Sequence, residues 1–319
     1  MLDKLKQRAI ESGTPASIDE AMALNESYST DELRQAADEI RKNRCNDEIH
    51  TCSIVNARSG KCGEDCKWCA QSAHHNTGIR EYDYIPREEM ISSFENNKKH
   101  GVRYFSLVTS GRRVMPSQLS YFCRLYEEAA HLGGVNLCAS MGSLDREELP
   151  QLWDAGVRTY HCNLETSPSY FPQLCSTHTI EDKLNTIKSA REIGFKICSG
   201  GIIGMGETLR NRLELIEMVR TAGASSIPIN ILIPIKGTPL ENIKPLSEDE
   251  VIRSVALMRF IAPNCTIHFA GGRSQLSQQC VAKILRGGIN GALVGDMLTT
   301  VGNKINEDYE LFKEMGYRI

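Results

Sequence analysis

Two hydrophobic periods divide the chain. Over roughly its first 45 residues, apolar positions recur at helical spacing, as in Ser29–Lys42, with no β-prone run between them. From Thr51 onward, short β-prone runs appear, each followed by an amphipathic stretch that closes on Gly or Asn. The runs are Thr51–Val55, Tyr104–Val108, Asn136–Ala139, Thr159–Cys162, Lys196–Ser199, Ile227–Leu232, Thr266–Phe269 and Gly291–Val294. The spacing predicts intervening helices over Arg87–His100, Pro116–Leu132, Arg146–Ala155, Ile180–Ile193, Leu209–Ala222 and Glu248–Ala262. Ser247 and Glu250 stand at capping-box spacing at the start of the last of these.

Strands that alternate with helices eight times predict an α/β fold. We expect a TIM-type (β/α)8 barrel over residues 46–319, preceded by a helical extension over residues 1–45 that packs on it. A doubly wound open sheet is the alternative. It is weakened because no GxGxxG follows the first strand; that connection carries cysteines instead. In a barrel, functional groups gather at the C-terminal ends of the strands.

Composition then narrows the function. Hydrophobic residues make up 41% and charged residues 24%, enough for a large core. A net charge of -3 argues against a chain held to nucleic acid by positive charge. No apolar run approaches the roughly 18 residues of a membrane span, and MLDKLKQRAIESGTPAS lacks the apolar centre of a signal peptide. The expectation is a cytoplasmic protein with no nucleic-acid and no membrane partner. In such a reducing compartment twelve cysteines point to metal or redox chemistry. Cys123 and Cys280 lie in helix-like segments and read as packing.

The strongest local signal is GKCGEDCKWCAQS directly after the first strand, which spaces Cys62, Cys66 and Cys69 as C-x3-C-x2-C. Three thiolates can hold three irons of a cubane and leave the fourth open. A structural zinc site with His74 or His75 as fourth ligand is the competing reading.

That motif after the first strand of a barrel resembles the radical S-adenosylmethionine (SAM) enzymes. The likeness extends through YHCNLETSPSYF, STHTIEDKL, KICSGGIIGMGET, PINILIPIKGTPLE and HFAGGRSQ, which together resemble the biotin synthases over about residues 50–275. The resemblance implies a 4Fe–4S cluster on Cys62, Cys66 and Cys69, and SAM bound to its open iron. It also implies dethiobiotin as substrate, two hydrogen abstractions, and sulfur drawn from a second, auxiliary iron–sulfur cluster. A flavodoxin or ferredoxin as electron donor and a homodimer are implied in the same way. Trp68 takes the aromatic position beside the adenine. Asn163 and Glu165 match ribose contacts, Ser110 and Gly111 the approach to the methionyl end, and Lys183 a partner for its carboxylate. Asn230 matches the asparagine at the ureido ring.

The auxiliary ligands depart from the family pattern of three cysteines and one arginine. Cys138 and Cys198 match two of the cysteines; Ser106 stands at the third position and His268 at the arginine. Cys162 stands where the family usually has His. The expected set is therefore Cys138, Cys162, Cys198 and His268, with Cys52 and Cys175 in reserve. Such a set suits four irons at least as well as two. Two alternatives stay open: an amino-acid-acting relative such as methylornithine synthase or the hydrogenase-cluster maturase, and a non-catalytic zinc-stabilised binding protein.

Overall fold

Nine parallel strands form the centre of the structure, a computed structural model that describes residues 1–295 and 304–319. They are β1 (His50–Arg58), β2 (Tyr104–Thr109), β3 (Asn136–Ser140), β4 (Thr159–His161), β5 (Lys196–Cys198), β6 (Gly201–Ile203), β7 (Ala224–Ile231), β8 (Thr266–Phe269) and β9 (Gly291–Leu293). Neighbours run β5-β4-β3-β2-β1-β9-β8-β7-β6, and β5 pairs with β7 as well, which closes the sheet. β5 and β6 are two halves of one barrel strand, so the barrel has the eight positions that the sequence implies.

The break between β5 and β6 has a local cause. It lies opposite Pro228 of β7, which has no N–H to give to a ladder. A Cβ on Gly200 would stand 2.0 Å from the Pro228 carbonyl oxygen, so only glycine lets the two backbones meet there.

Helices α1 (Leu2–Ser12), α2 (Ile18–Ser27) and α3 (Thr30–Cys45) precede the barrel. Between its strands lie α4 (Arg87–Lys99), α5 (Pro116–Leu132), α6 (Leu149–Asp154), α7 (Phe171–Leu174), α8 (Ile180–Ile193), α9 (Leu209–Thr221), α10 (Glu248–Ile261) and α11 (Gln278–Leu285); α12 (Ile305–Glu314) follows the last strand. α6 starts three residues later than its pattern suggests, with Pro150 in its first turn where a missing N–H costs nothing. The Ser247–Glu250 capping box forms at the start of α10. None of the described helices is long and apolar enough to cross a membrane.

The first three helices pack on α10. Ala16 N–H donates to Phe260 O at 2.9 Å, and Arg253 donates to Asn25 O (2.9 Å) and Tyr28 O (3.1 Å). Leu24, Leu33 and Ile40 share one buried core with Leu257 and Ile261.

Successive side chains of a strand face opposite sides, and this parity decides what the barrel encloses. On β1, Cys52 and Ile54 face the lumen; on β4 and its continuation Thr159, His161 and Asn163 do; on β8, Thr266 and His268 do.

At the far side, Arg273 donates to both carboxylate oxygens of Asp308 at 2.9 Å and to Leu293 O at 2.7 Å, tying the loop after β8 to α12 and β9. Asp308 is 1% exposed. Arg273→Ala removes the guanidinium from a buried carboxylate. It is expected to cost about 3–5 kcal/mol, read as a lower midpoint in denaturant unfolding; a loss below about 1 kcal/mol would show that the clip carries little.

Candidate active site

The three-cysteine loop begins where β1 ends. Gly60 (φ 72°) and Lys61 (φ 53°) turn the chain through left-handed conformations immediately before Cys62. The loop then bonds to itself: Gly60 N–H donates to Gln71 Oε1 at 3.0 Å, Cys62 N–H to Gln71 O at 3.1 Å, Ala73 N–H to Cys62 O at 2.7 Å and Cys69 N–H to Cys66 O at 3.0 Å. Cys62 and Cys66 are buried and Cys69 half-buried.

The spacing of these thiols bears on which metal they suit. A single tetrahedral zinc, with Zn–S of about 2.3 Å, draws its sulfurs to about 3.8 Å. Cys62, Cys66 and Cys69 do not form such a trio: among the described residues, the group of three ligand atoms within 4.8 Å of one another is Cys66, Cys175 and His178. Sulfurs set wider apart fit separate irons of a cubane. His74 Nε2 lies 3.1 Å from Gly63 O and His75 Nδ1 2.9 Å from Cys69 O, so both imidazoles are engaged with backbone. Zinc on this loop with either histidine thus finds no support in the geometry. Trp68 stands edge-on to Phe171, ring centroids 6.3 Å apart, and packs against Leu174, Met205 and Leu232.

Beside the loop, the continuation of β4 carries Asn163 and Glu165. Glu165 has φ 71°, a left-handed conformation that a non-glycine residue rarely holds. It is fixed there because Ile202 N–H donates to Glu165 O at 2.9 Å and Gly201 leaves room for it; a Cβ on Gly201 would stand 2.2 Å from that oxygen. Asn163 accepts from Gly200 N–H at 3.0 Å and donates to Glu165 Oε2 at 3.4 Å. Burial pushes the Glu165 carboxyl up, opposed by the Lys183 ammonium of α8. Burial also works against that ammonium, but Cys162 and Glu165 outweigh it and its pKa is raised. Ser110 Oγ donates to Gly60 O at 2.6 Å, and Arg58 donates to Ser110 O at 3.1 Å. Together with Gly111 (φ 103°), Ser110 ties the end of β2 to the start of the cysteine loop.

Inside the barrel is a cavity of about 420 Å³. Its lining includes Cys52, Cys138, Cys198, His161, His268, Asn163 and Asn230. His161 Nδ1 lies 3.3 Å from Cys198 Sγ, which also donates to Ser226 Oγ at 3.4 Å. His268 Nδ1 is buried with no hydrogen-bond partner among the described residues. Its ring fits because β9 has glycine opposite; a Cβ on Gly291 would stand 2.6 Å from that nitrogen. Burial lifts the Cys138 thiol to about 12 and the Cys198 thiol to about 11. Burial first, and then Cys138 and Cys198 nearby, raises Cys52 as well. Burial lowers His161 to about 4 and His268 to about 3. Both imidazoles are therefore neutral near pH 7, with a lone pair to offer a metal. The thiols release protons when a metal takes them. Asn230 donates to Gly201 O at 3.2 Å and accepts from Gly271 N–H at 2.9 Å, leaving one amide hydrogen and one lone pair for a ligand.

Of the expected auxiliary set, the structure brings Cys138, Cys198 and His268 together and leaves Cys162 out. Cys162 is 5% exposed and belongs to the apolar layer outside the strands, with Lys183 beside it. The reason is parity: Asn163 faces the lumen, so residue 161, not 162, does so too. His161 was missed on that account. Cys52, held in reserve, takes a lumen position on β1 opposite Tyr104 of β2, two residues before Ser106, which also lines the cavity. Cys175, the other reserve, lies outside the lumen against Cys66, 3.6 Å between sulfurs.

A family model described as the radical SAM superfamily matches residues 57–219. With the closed barrel and the three-cysteine loop at its mouth, it defines a radical SAM enzyme, a class whose members carry a 4Fe–4S cluster and use SAM. A second, the biotin and thiamin synthesis associated domain, matches residues 228–318. Biotin synthase of Parabacteroides distasonis is 46% identical over 318 residues, covering 100% of this chain and 97% of that one. Biotin synthase of Porphyromonas gingivalis is 44% identical over 319 residues, covering 100% and 96%. The chain belongs to the biotin synthase family. Among solved structures, methylornithine synthase superposes with a TM-score of 0.84 at 18% identity, over 98% of this chain and 96% of that one. The FeFe-hydrogenase maturase of Carboxydothermus hydrogenoformans does so at 0.82 and 15%, over 99% and 78%. At these identities they share the fold alone.

Gly201→Ala forces a methyl group against the Glu165 carbonyl. Hydrogen exchange at Ile202 N–H is expected to speed up at least tenfold and SAM binding to weaken by about tenfold, or about 1.4 kcal/mol. Unchanged exchange at Ile202 would mean that the strained turn does not depend on this glycine.

Proposed function

We propose that the chain converts dethiobiotin to biotin by radical sulfur insertion, the sulfur coming from an auxiliary iron–sulfur cluster inside the barrel. One observation carries this reading: a lumen lined by three thiols and the imidazoles of His50, His161 and His268, the last with a buried nitrogen that has no partner among the described residues. Buried polar groups are normally satisfied, and soft sulfur and imidazole donors suit iron.

When bound, the loop cluster and SAM supply the 5′-deoxyadenosyl radical that abstracts hydrogen, and the auxiliary cluster supplies the sulfur. Everything else is the protein's work. Cys62, Cys66 and Cys69 hold the outer cluster. Trp68 flanks the adenine, and Asn163 and Glu165 accept from the ribose hydroxyls. Lys183 neutralises the SAM carboxylate, and the Ser110–Gly111 backbone lies against its methionyl end. Asn230 offers its remaining hydrogen and lone pair to the ureido group. The enclosing strands keep water from a reactive carbon radical.

Cys52, Cys138 and Cys198 hold the auxiliary cluster, with His268 and His161 as the imidazole donors. Cys52 replaces the thiol absent at Ser106, and His268 replaces the arginine. A four-iron cluster is expected there; four donors suit it at least as well as a two-iron one, since a cubane takes one per iron and a two-iron cluster two per iron. The enzyme works in the cytoplasm as a homodimer and draws electrons from a flavodoxin or ferredoxin.

In an anaerobic single-turnover assay with dethiobiotin, SAM and a reductant, biotin is the expected product; 5′-deoxyadenosine without biotin contradicts the reading and favours an amino-acid-acting relative. A Cys62→Ala/Cys66→Ala/Cys69→Ala triple variant is expected to retain about four irons with sulfide. In that background Cys52→Ala or Cys198→Ala should at least halve the iron content, while Cys162→Ala leaves it intact. A two-iron spectroscopic signature, or iron lost with Cys162→Ala, would contradict the assigned cluster.

A further inference from the structure

The proposed reaction leaves one buried thiol beside the outer loop without a role. Cys175 follows α7, and its Sγ lies 3.6 Å from that of Cys66, 109 residues away in the chain. His178 Nδ1 is 3.2 Å from the same sulfur. Cys66 is 9% exposed, Cys175 5% and the His178 side chain 8%. Carboxylates close the group: Asp65 Oδ1 is 3.2 Å from Cys175 Sγ, and Glu64 Oε2 is 2.5 Å from His178 Nδ1.

The contact is held by backbone and is not a chance meeting of two free loops. Asp65 accepts from Ser176 N–H at 2.9 Å and Thr177 N–H at 3.3 Å, while Lys67 N–H donates to Leu174 O at 3.0 Å. The dimensions fit one ion. Two thiolates on a tetrahedral zinc stand about 3.8 Å apart, and a thiolate and an imidazole nitrogen about 3.5 Å; here the separations are 3.6 and 3.2 Å.

We propose that, in the chain without its outer cluster, Cys66, Cys175 and His178 bind a single divalent ion of the zinc or ferrous type, with solvent as the fourth ligand. Binding sends the protons that Cys66 and Cys175 still hold to solvent; His178 Nδ1 gives up its contact with Glu64 Oε2 to face the ion, any proton on it passing to Nε2, and no electrons move. Cys66 cannot serve this ion and the cubane together, so the two states exclude each other. A ferrous ion held here is already on one cluster thiol, whereas zinc held here blocks assembly. The inference requires only that Cys66 belong to the outer cluster and is independent of the substrate or the auxiliary ligands.

The test uses the full-length chain, reduced and free of iron, titrated anaerobically with Co2+, whose thiolate charge-transfer and tetrahedral ligand-field bands report the donor set. Cys175→Ser and His178→Gln are each expected to remove one tight equivalent, or weaken it more than about tenfold, while Cys69→Ala retains it. Differences from wild type cancel any ion on the lumen thiols, and circular dichroism checks that each variant is folded; if one is not, the other decides. Loss with Cys69→Ala but not with Cys175→Ser would assign the ion to the three-cysteine loop and overturn the proposal. As a second readout, one equivalent of Zn2+ added before reconstitution with iron and sulfide should suppress outer-cluster formation in wild type and not in Cys175→Ser. Equal suppression in both, or no cluster in Cys175→Ser even without zinc, would overturn it as well.

Discussion

Burying polar groups away from water is costly, and a closed parallel barrel decides by parity which side chains face its interior. Alternate residues of the strands, β6 aside, face a lumen about 420 Å³ in volume. In an ordinary barrel, branched apolar side chains fill this space. Here the inward positions of β1, β3, β4, β5 and β8 carry Cys52, Cys138, His161, Cys198 and His268, and burial holds the thiols protonated and the imidazoles neutral. Such a lining does little for stability. In the proposed function it serves as the ligand set of a soft metal centre.

The same parity couples this lining to the mouth of the barrel. Thr159, His161 and Asn163 share one face of a single run, and Glu165 follows at the strained turn that Gly201 permits. A residue at the Cys198 sulfur and residues at the proposed ribose site are thus two positions apart on one backbone. Asn230 on the neighbouring strand β7, bonded to Gly201 O and Gly271 N–H, braces the same segment. Radical chemistry needs its reacting parts held in fixed relation with water excluded, and this shared scaffold provides both.

What could be read from the sequence follows from how local each feature is. The three-cysteine motif lies within one loop, so spacing alone exposed it. Repeated strand–helix alternation with glycine at helix ends exposed the barrel. The lumen set was harder, because the run Thr159–Cys162 contains both His161 and Cys162, and four residues do not fix which faces inward. Asn163 held the answer, since a residue that reaches the lumen fixes the parity of its neighbours two away. The Cys66–Cys175 contact was beyond spacing arguments altogether: it joins two loops 109 residues apart and arises only when β1 and β4 are placed in one barrel.

All of this turns on there being two metal centres, one at the mouth and one within. The most direct measurement is an anomalous difference map at the iron edge from crystals of the anaerobically reconstituted protein. Two separate maxima are predicted, one enclosed by Cys62, Cys66 and Cys69, the other among Cys52, Cys138 and Cys198 with an imidazole of His268 or His161 at its edge. A single maximum at the mouth, with the inner thiols bare, would contradict the account.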